Sequence, residues 1–112
     1  MPRTVYCWRC AMDLPMLDED EWAKFEPLLD GAIGNIQRYR RQHDVGLGAV
    51  PIPAMYWAAS EMFAKLTGVT DIAPEALWHH RLSLLGPPCD ACGKPLRTPQ
   101  AKLCAACGHP RP

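Results

Sequence analysis

The stretch Cys89–Gly108 has the sequence CDACGKPLRTPQAKLCAACG and contains two Cys-x-x-Cys pairs. Eleven residues separate the pairs, and a glycine follows the second cysteine of each pair. Two sulfurs on one tight turn can both reach a metal ion at about 2.3 Å, so two such turns supply the four thiolates of a tetrahedral site. The stretch therefore predicts a structural metal site near this end of the chain.

The same segment resembles the short zinc-ribbon family, in which each Cys-x-x-Cys-Gly turn is followed closely by an apolar residue. The resemblance covers about 20 of the 112 residues. It implies that Cys89, Cys92, Cys104 and Cys107 bind one Zn²⁺ ion. So short a segment cannot bury enough apolar surface to fold alone, whereas zinc supplies on the order of 10 kcal/mol of folding free energy. Four protein ligands leave no open position for catalysis, and a pair of disulfides is the alternative.

A third Cys-x-x-Cys pair, Cys7 and Cys10, needs two further ligands if it is to hold a second Zn²⁺ ion. His79 and His80 are the candidates, but they fall in a predicted helix, where adjacent side chains point about 100° apart. We therefore expect one of the two histidines, with His43 or an aspartate as the fourth ligand. A redox dithiol, or a reduced pair that is merely packed, is the alternative.

The residues between the cysteine pairs predict a helical body. The acidic run from Asp18 to Glu21 is typical of a helix start, and apolar residues then recur at helical spacing from Trp22 to Tyr39. Pro27 should kink this helix or restart it. Glycines and prolines predict a loop over residues 46–53.

Two further helices are expected, from about Ala54 to Thr67 and from Glu75 to about Leu85. The predicted fold is mainly α, with about three helices, small β elements at the cysteine turns and a C-terminal zinc ribbon. We place domain boundaries so that residues 1–16 form an N-terminal turn, 17–86 the helical body and 87–112 the ribbon. A helical body with a ribbon is also similar to small bacterial proteins, a likeness that implies no activity.

Charge and cysteine usage limit the class of protein. The net charge is zero, but residues 1–35 hold three basic and seven acidic side chains, and residues 36–112 hold nine and five. No apolar stretch approaches the roughly 20 residues of a membrane span. All six cysteines lie in Cys-x-x-Cys pairs and no signal peptide opens the sequence, which favours metal ligation in a reducing, cytoplasmic setting.

No pairing of a nucleophile with a base and no phosphate-binding loop appears in the sequence, so we expect neither an enzyme nor a small-molecule substrate. The leading hypothesis is a zinc-binding protein that recognises another protein, as an adaptor or as an immunity protein that blocks a toxin. Arg38, Arg40 and Arg41 are the candidate partner-binding residues.

Two alternatives stay open. A nucleic-acid-binding regulator would use these arginines together with a basic edge on the ribbon, formed by Lys94, Arg97, Lys102 and Arg111. The neutral net charge offers little of the affinity that phosphate contacts provide. A metal or redox sensor would use Cys7 and Cys10.

Overall fold

The computed structural model describes residues 3–111. Within that range the chain forms one antiparallel hairpin, of strands β1 (Arg3–Cys7) and β2 (Met12–Met16), and four helices. The helices are α1 (Glu19–His43), α2 (Ile52–Met55), α3 (Trp57–Thr67) and α4 (Pro74–Leu77). The prediction of a mainly helical fold with small β elements is confirmed, although α2 and α4 are single turns.

The long helix α1 begins where the acidic run predicts. The Asp18 side chain accepts a hydrogen bond from the Glu21 backbone, and the Glu21 side chain accepts one from the Asp18 backbone, which completes a capping box. The helix continues past Pro27 to His43 and ends at Asp44, which adopts a left-handed conformation. Pro27 therefore does not restart the helix.

The hydrophobic core lies between α1 and α3. Trp22, Phe25 and Leu29 of α1 meet Ala59 and Phe63 of α3, and Leu17, Ala32, Tyr56 and Leu77 complete the cluster of buried residues. Trp22, Phe25 and Phe63 are stacked edge to face or tilted, with ring centroids 5.4 and 5.9 Å apart. The helical spacing of the apolar residues thus predicts the core residues of α1 up to Leu29 and those of α3. It is wrong for Ile33, which is 40% exposed, while Ala32 is buried in its place.

The segment before α3 is more ordered than its glycines and prolines suggest. A 3₁₀ turn spans Leu47–Ala49, and α2 begins at Ile52 with Pro53 in its first turn, where a missing N–H is tolerated. The helix predicted from Ala54 is interrupted at Tyr56 and resumes at Trp57. The prediction of an unstructured loop over residues 46–53 is wrong in this respect.

The third predicted helix is also wrong in its length. Regular α4 ends at Leu77, and the chain then passes through a turn into extended backbone. The Leu17 N–H donates to the His80 carbonyl at 2.9 Å, and the Leu82 N–H donates to the Leu17 carbonyl at 2.8 Å. These tertiary hydrogen bonds replace the helical ones, and a 3₁₀ turn at Leu82–Leu84 follows.

The C-terminal segment folds as two cysteine turns closed by short antiparallel bridges, Pro88 with Pro95 and Leu103 with Pro110. Gly86 marks the point where the body meets this segment: a Cβ atom there would lie 2.4 Å from the Thr98 carbonyl oxygen. Only glycine therefore fits this approach without a shift of the backbone. In the described part of the chain, no helix is both long and apolar enough to cross a membrane.

Candidate metal centres

Cys89, Cys92, Cys104 and Cys107 bring their four sulfur atoms together, all within 4.8 Å of one another. The Sγ atoms of Cys89 and Cys107 are 3.7 Å apart, and those of Cys92 and Cys104 are 3.6 Å apart. A regular tetrahedron of thiolates about 2.3 Å from a central zinc ion has edges of about 3.8 Å. The cluster therefore has the dimensions of a four-thiolate metal site.

Backbone geometry places these four sulfurs. The N–H of Gly93 donates to the Cys89 carbonyl at 2.8 Å, and the N–H of Gly108 donates to the Cys104 carbonyl at 2.7 Å. Both glycines have a left-handed φ, of 78° and 81°. The turn needs that conformation, which costs glycine little. Leu96 is the largest buried side chain packed between the two turns.

The cysteine thiols of this cluster differ in acidity because each faces different backbone N–H groups and neighbouring sulfurs. The pKa of Cys89 is lowered by the backbone N–H groups of Cys92 and Ala91, and that of Cys104 is lowered to about 7, chiefly by the N–H of Cys107. The N–H of His109 favours the Cys107 thiolate, but desolvation and the neighbouring sulfurs outweigh it and raise the pKa of Cys107 to about 12. A cation among the sulfurs would favour the ionised form of all four.

A second cluster forms from Cys7, Cys10, His79 and His80, whose ligand atoms also lie within 4.8 Å of one another. The Cys10 Sγ is 3.3 Å from Nε2 of His79 and 3.6 Å from Nε2 of His80. Bonds of about 2.3 Å to sulfur and about 2.0 Å to nitrogen give a tetrahedral edge of about 3.5 Å between these atoms. This group, too, has the dimensions of a metal site.

Both histidines reach the cysteines because they do not lie on a helix. His79 lies in the turn after α4, where its N–H donates to the Ala76 carbonyl, and His80 lies where the chain becomes extended and bonds with Leu17. The angle of about 100° between helical neighbours therefore does not apply. The structure brings both histidines to the cysteines, whereas the sequence predicted one of them with a fourth ligand from elsewhere. His43 lies at the end of α1, where its ring stacks on Tyr39 with centroids 4.1 Å apart. Among the described residues, no aspartate belongs to this cluster.

The two histidines have different surroundings. His80 is fully buried against Phe63, with ring centroids 5.4 Å apart, and burial followed by the neighbouring His79 lowers its pKa to about 4. The Pro15 carbonyl opposes this shift in part, although its geometry with Nδ1 is not that of a full hydrogen bond. Burial, and then Arg9, lowers the pKa of the less buried His79. Both rings are therefore neutral at pH 7, as ligation requires.

The turn that carries Cys7 and Cys10 repeats the geometry of the ribbon turns without their glycine. Ala11 follows Cys10 with a φ of 56°, in the conformation that Gly93 and Gly108 adopt after their cysteines. Burial, and then the adjacent Cys7, raises the pKa of Cys10 to about 11. A reactive thiol needs a lowered pKa, so these surroundings do not make Cys10 the attacking thiol of a redox pair.

Contacts between cations and aromatic rings connect the hairpin to the ribbon. Lys94 Nζ lies 4.1 Å from the ring centroid of Tyr6, and the Arg97 guanidinium carbon lies 4.5 Å from that of Trp8. Arg9 also lies over Trp8, at 4.9 Å. Sequence reasoning assigned Lys94 and Arg97 to a basic edge and missed their aromatic partners, since residues so far apart in the chain share no local pattern.

The three candidate arginines of α1 lie away from both clusters. Arg38 faces a hollow that is also lined by Trp57, whereas Arg40 and Arg41 line a neighbouring hollow with Asp44. Successive residues of a helix are rotated by about 100°, so Arg40 points roughly 160° away from Arg38, whereas Arg41 is rotated only about 60° from it. Arg40 therefore does not share a face of α1 with Arg38.

Comparisons with protein-family models, with curated proteins and with solved structures found no match for this chain.

Proposed function

We propose that this protein binds two structural Zn²⁺ ions and acts without catalysis, through the recognition of another protein. The observation that carries the zinc proposal is the spacing of the ligand atoms. In both clusters the measured separations lie within a few tenths of an ångström of tetrahedral edges. Thiolate and imidazole in tetrahedral arrangement are the donors that zinc prefers.

The ligand sets support a structural role for both ions. Each cluster offers four protein ligands, so the coordination of zinc would be complete and no position would remain for a reacting water molecule. Zinc at the first cluster would be held by Cys89, Cys92, Cys104 and Cys107, and zinc at the second by Cys7, Cys10, His79 and His80. The chemistry that zinc supplies here is the stabilisation of adjacent thiolates, which otherwise repel one another.

The distribution of charge supports a role in recognition. Residues 17–86, the helical body, carry six basic and ten acidic side chains, while the two ends of the chain together carry six basic and two acidic ones. A protein with an acidic body and basic metal-binding ends presents two contrasting surfaces to partners. Large apolar side chains, among them Trp57 and Leu47, are also exposed on the body. An adaptor or a toxin-blocking immunity protein would use such surfaces.

Nucleic acid is the second candidate partner. The cation–aromatic contacts at Tyr6 and Trp8 favour it, because aromatic rings and guanidinium planes are the platforms on which unpaired bases stack. The neutral net charge and the −2 formal charge of a zinc ion with four thiolates both weaken this candidate.

Metal analysis and affinity capture test the proposal together. Elemental analysis of protein purified from its native cells, without added metal, should give two equivalents of zinc per chain. Capture of cross-linked partners under the same conditions should recover a protein partner that stays bound after nuclease treatment. Iron in place of zinc would refute the metal assignment, and recovery of nucleic acid without a protein partner would favour the second candidate.

A further inference from the structure

A surface at the carboxyl end of α1 remains unaccounted for by the metal centres. Here α1 meets the start of α3 around an open hollow of about 250 Å³, which we call the Trp57 surface. The residues that line it are Asn35, Arg38, Tyr39, Gln42, Ala54, Met55 and Trp57. Trp57 is 59% exposed, although tryptophan is among the most apolar side chains by area. An exposed tryptophan beside a tyrosine and an arginine has the composition of a protein-binding hot spot.

Hydrogen bonds hold the polar part of this surface in place. Nη2 of Arg38 donates to Oδ1 of Asn35 at 3.0 Å, and Nδ2 of Asn35 donates to the Met55 carbonyl at 3.1 Å. This chain of hydrogen bonds links α1 to α2 and holds one nitrogen of Arg38, which lines the same hollow as Trp57. A preorganised arginine loses less conformational entropy when it binds a carboxylate than a freely rotating one does.

The charged group that lines the Trp57 surface is positive. Among the described residues, its lining includes the guanidinium group of Arg38 and no carboxylate. Arg40 and Arg41 lie in the last turn of α1, where they complement the helix dipole, and the adjacent Asp44 offsets part of their charge. Arg38 lies before that turn and has no acidic partner within salt-bridge distance among the described residues. Its charge is therefore available to a partner.

We propose that the Trp57 surface binds an acidic, extended or helical segment of another protein. A large apolar side chain of that segment packs against Trp57 and Met55, and a neighbouring carboxylate accepts hydrogen bonds from Arg38. Charge complementarity selects the acidic segment, since the hollow pairs one fixed cation with apolar walls. This inference rests on the proposed role in protein recognition and assigns it a surface and a class of ligand.

A phage-displayed library of random peptides, selected on the full-length, zinc-loaded protein, tests this inference. We expect enriched peptides to combine Asp or Glu with a nearby Leu, Phe or Trp. The dissociation constant of an enriched peptide, measured by fluorescence anisotropy, should rise roughly 30-fold with Trp57→Ala and roughly tenfold with Arg38→Ala. Arg38→Lys should restore only part of the loss, because lysine lacks the planar fork.

Two matched variants control for exposure and charge. Leu103→Ala removes an apolar side chain that is 56% exposed on the ribbon, and Arg3→Ala removes a positive charge from the hairpin. Both should leave the dissociation constant within about twofold of the wild-type value. Zinc content and helical ellipticity, measured for every variant, identify any loss of binding that comes from unfolding.

Several results would overturn the inference. If Trp57→Ala and Arg38→Ala leave the affinity of the enriched peptides unchanged, the peptides bind elsewhere on the protein. A selection that enriches no acidic peptide would contradict the proposed class of ligand. Displacement of the peptide by oligothymidylate would indicate a nucleic-acid site, and self-association abolished by Trp57→Ala would make a second copy the occupant. Specific peptide binding without a captured cellular partner would support the Trp57 surface as a peptide-binding site. It would count only against the proposal that the protein recognises another protein in the cell.

Discussion

The two cysteine clusters have similar internal distances but are assembled over very different lengths of chain. Facing sulfurs of the ribbon cluster are 12 and 18 residues apart in sequence, whereas Cys10 is 69 and 70 residues from its two histidines. The entropy of loop closure grows only by about 0.6 kcal/mol for each doubling of length. Length alone therefore adds little to the cost of the second cluster.

The difference lies in what must be folded before the ligands meet. The ribbon ligands are brought together by two local turns, and none of the body's core residues is needed to form them. The second cluster requires the hairpin, the hydrogen bonds of Leu17 and the packing of His80 on Phe63. A metal ion at the second cluster is thus coupled to the fold of the body. One at the ribbon is coupled first to the two local turns, and to the hairpin only through the contacts of Lys94 and Arg97.

Breaking the second cluster should have the largest effect on the whole molecule. Cys10→Ser should lower the zinc content from two equivalents to one and the melting temperature of the body by roughly 10 °C or more, because the hairpin loses its bond to the buried His80. Elemental analysis and calorimetry measure the two changes. Met12→Ser, at an exposed position of the same hairpin, should leave two equivalents bound. Two equivalents retained by Cys10→Ser would show that the four residues do not form a metal site.

Breaking the ribbon cluster should have a local effect. Cys104→Ser should also remove one equivalent of zinc, and the amide signals of residues 86–111 should lose their dispersion, since this segment has only a small apolar cluster of its own. The body, whose core contains no ribbon residue, should keep its helical ellipticity. Nuclear magnetic resonance measures the amide dispersion of the ribbon, and circular dichroism measures the helical ellipticity of the body. Loss of the helical signal together with the ribbon would show that the two clusters are not independent.

The smallest expected effect comes from substitutions within the cysteine turns, which compare the turn after Cys10 with a ribbon turn. Ala11→Gly should raise the free energy of unfolding by about 0.5 kcal/mol, because relief of the left-handed strain slightly exceeds the added chain entropy. Ala91→Gly, within a ribbon turn but outside the left-handed region, should instead be neutral or destabilising. Chemical denaturation at saturating zinc compares them. A destabilising Ala11→Gly would mean that the turn does not store this strain.

Local patterns account for the features that were predicted correctly. The Cys-x-x-Cys-Gly turns bring the sulfurs of Cys89, Cys92, Cys104 and Cys107 together, the acidic run caps α1, and helical spacing identifies Phe25 and Leu29 as core residues. Each of these depends on contacts within a few residues. Zinc as the metal, the recognition of a protein and the domain boundaries remain predictions.

The errors in the segment after Pro74 have one physical origin. The apolar pattern after Pro74 is compatible with a helix, but tertiary hydrogen bonds to Leu17 are available to the same backbone and hold it extended. Helix propensity amounts to less than about 1 kcal/mol per residue, so such competition decides the outcome. The helix predicted through His79 and His80 implied an angle of about 100° between their side chains, so His43 was considered as a ligand although both histidines lie near the cysteines.

The sequence by itself determined the local elements of this protein: three cysteine turns and a capped amphipathic helix. Only the tertiary structure decided that Cys7 and Cys10 meet both His79 and His80, and that Arg38 and Trp57 line the same hollow. Turns and helix faces follow from interactions between residues that are near in sequence. The second metal centre and the Trp57 surface depend on how separate elements pack, for which the spacing of residues along the chain carries no signal.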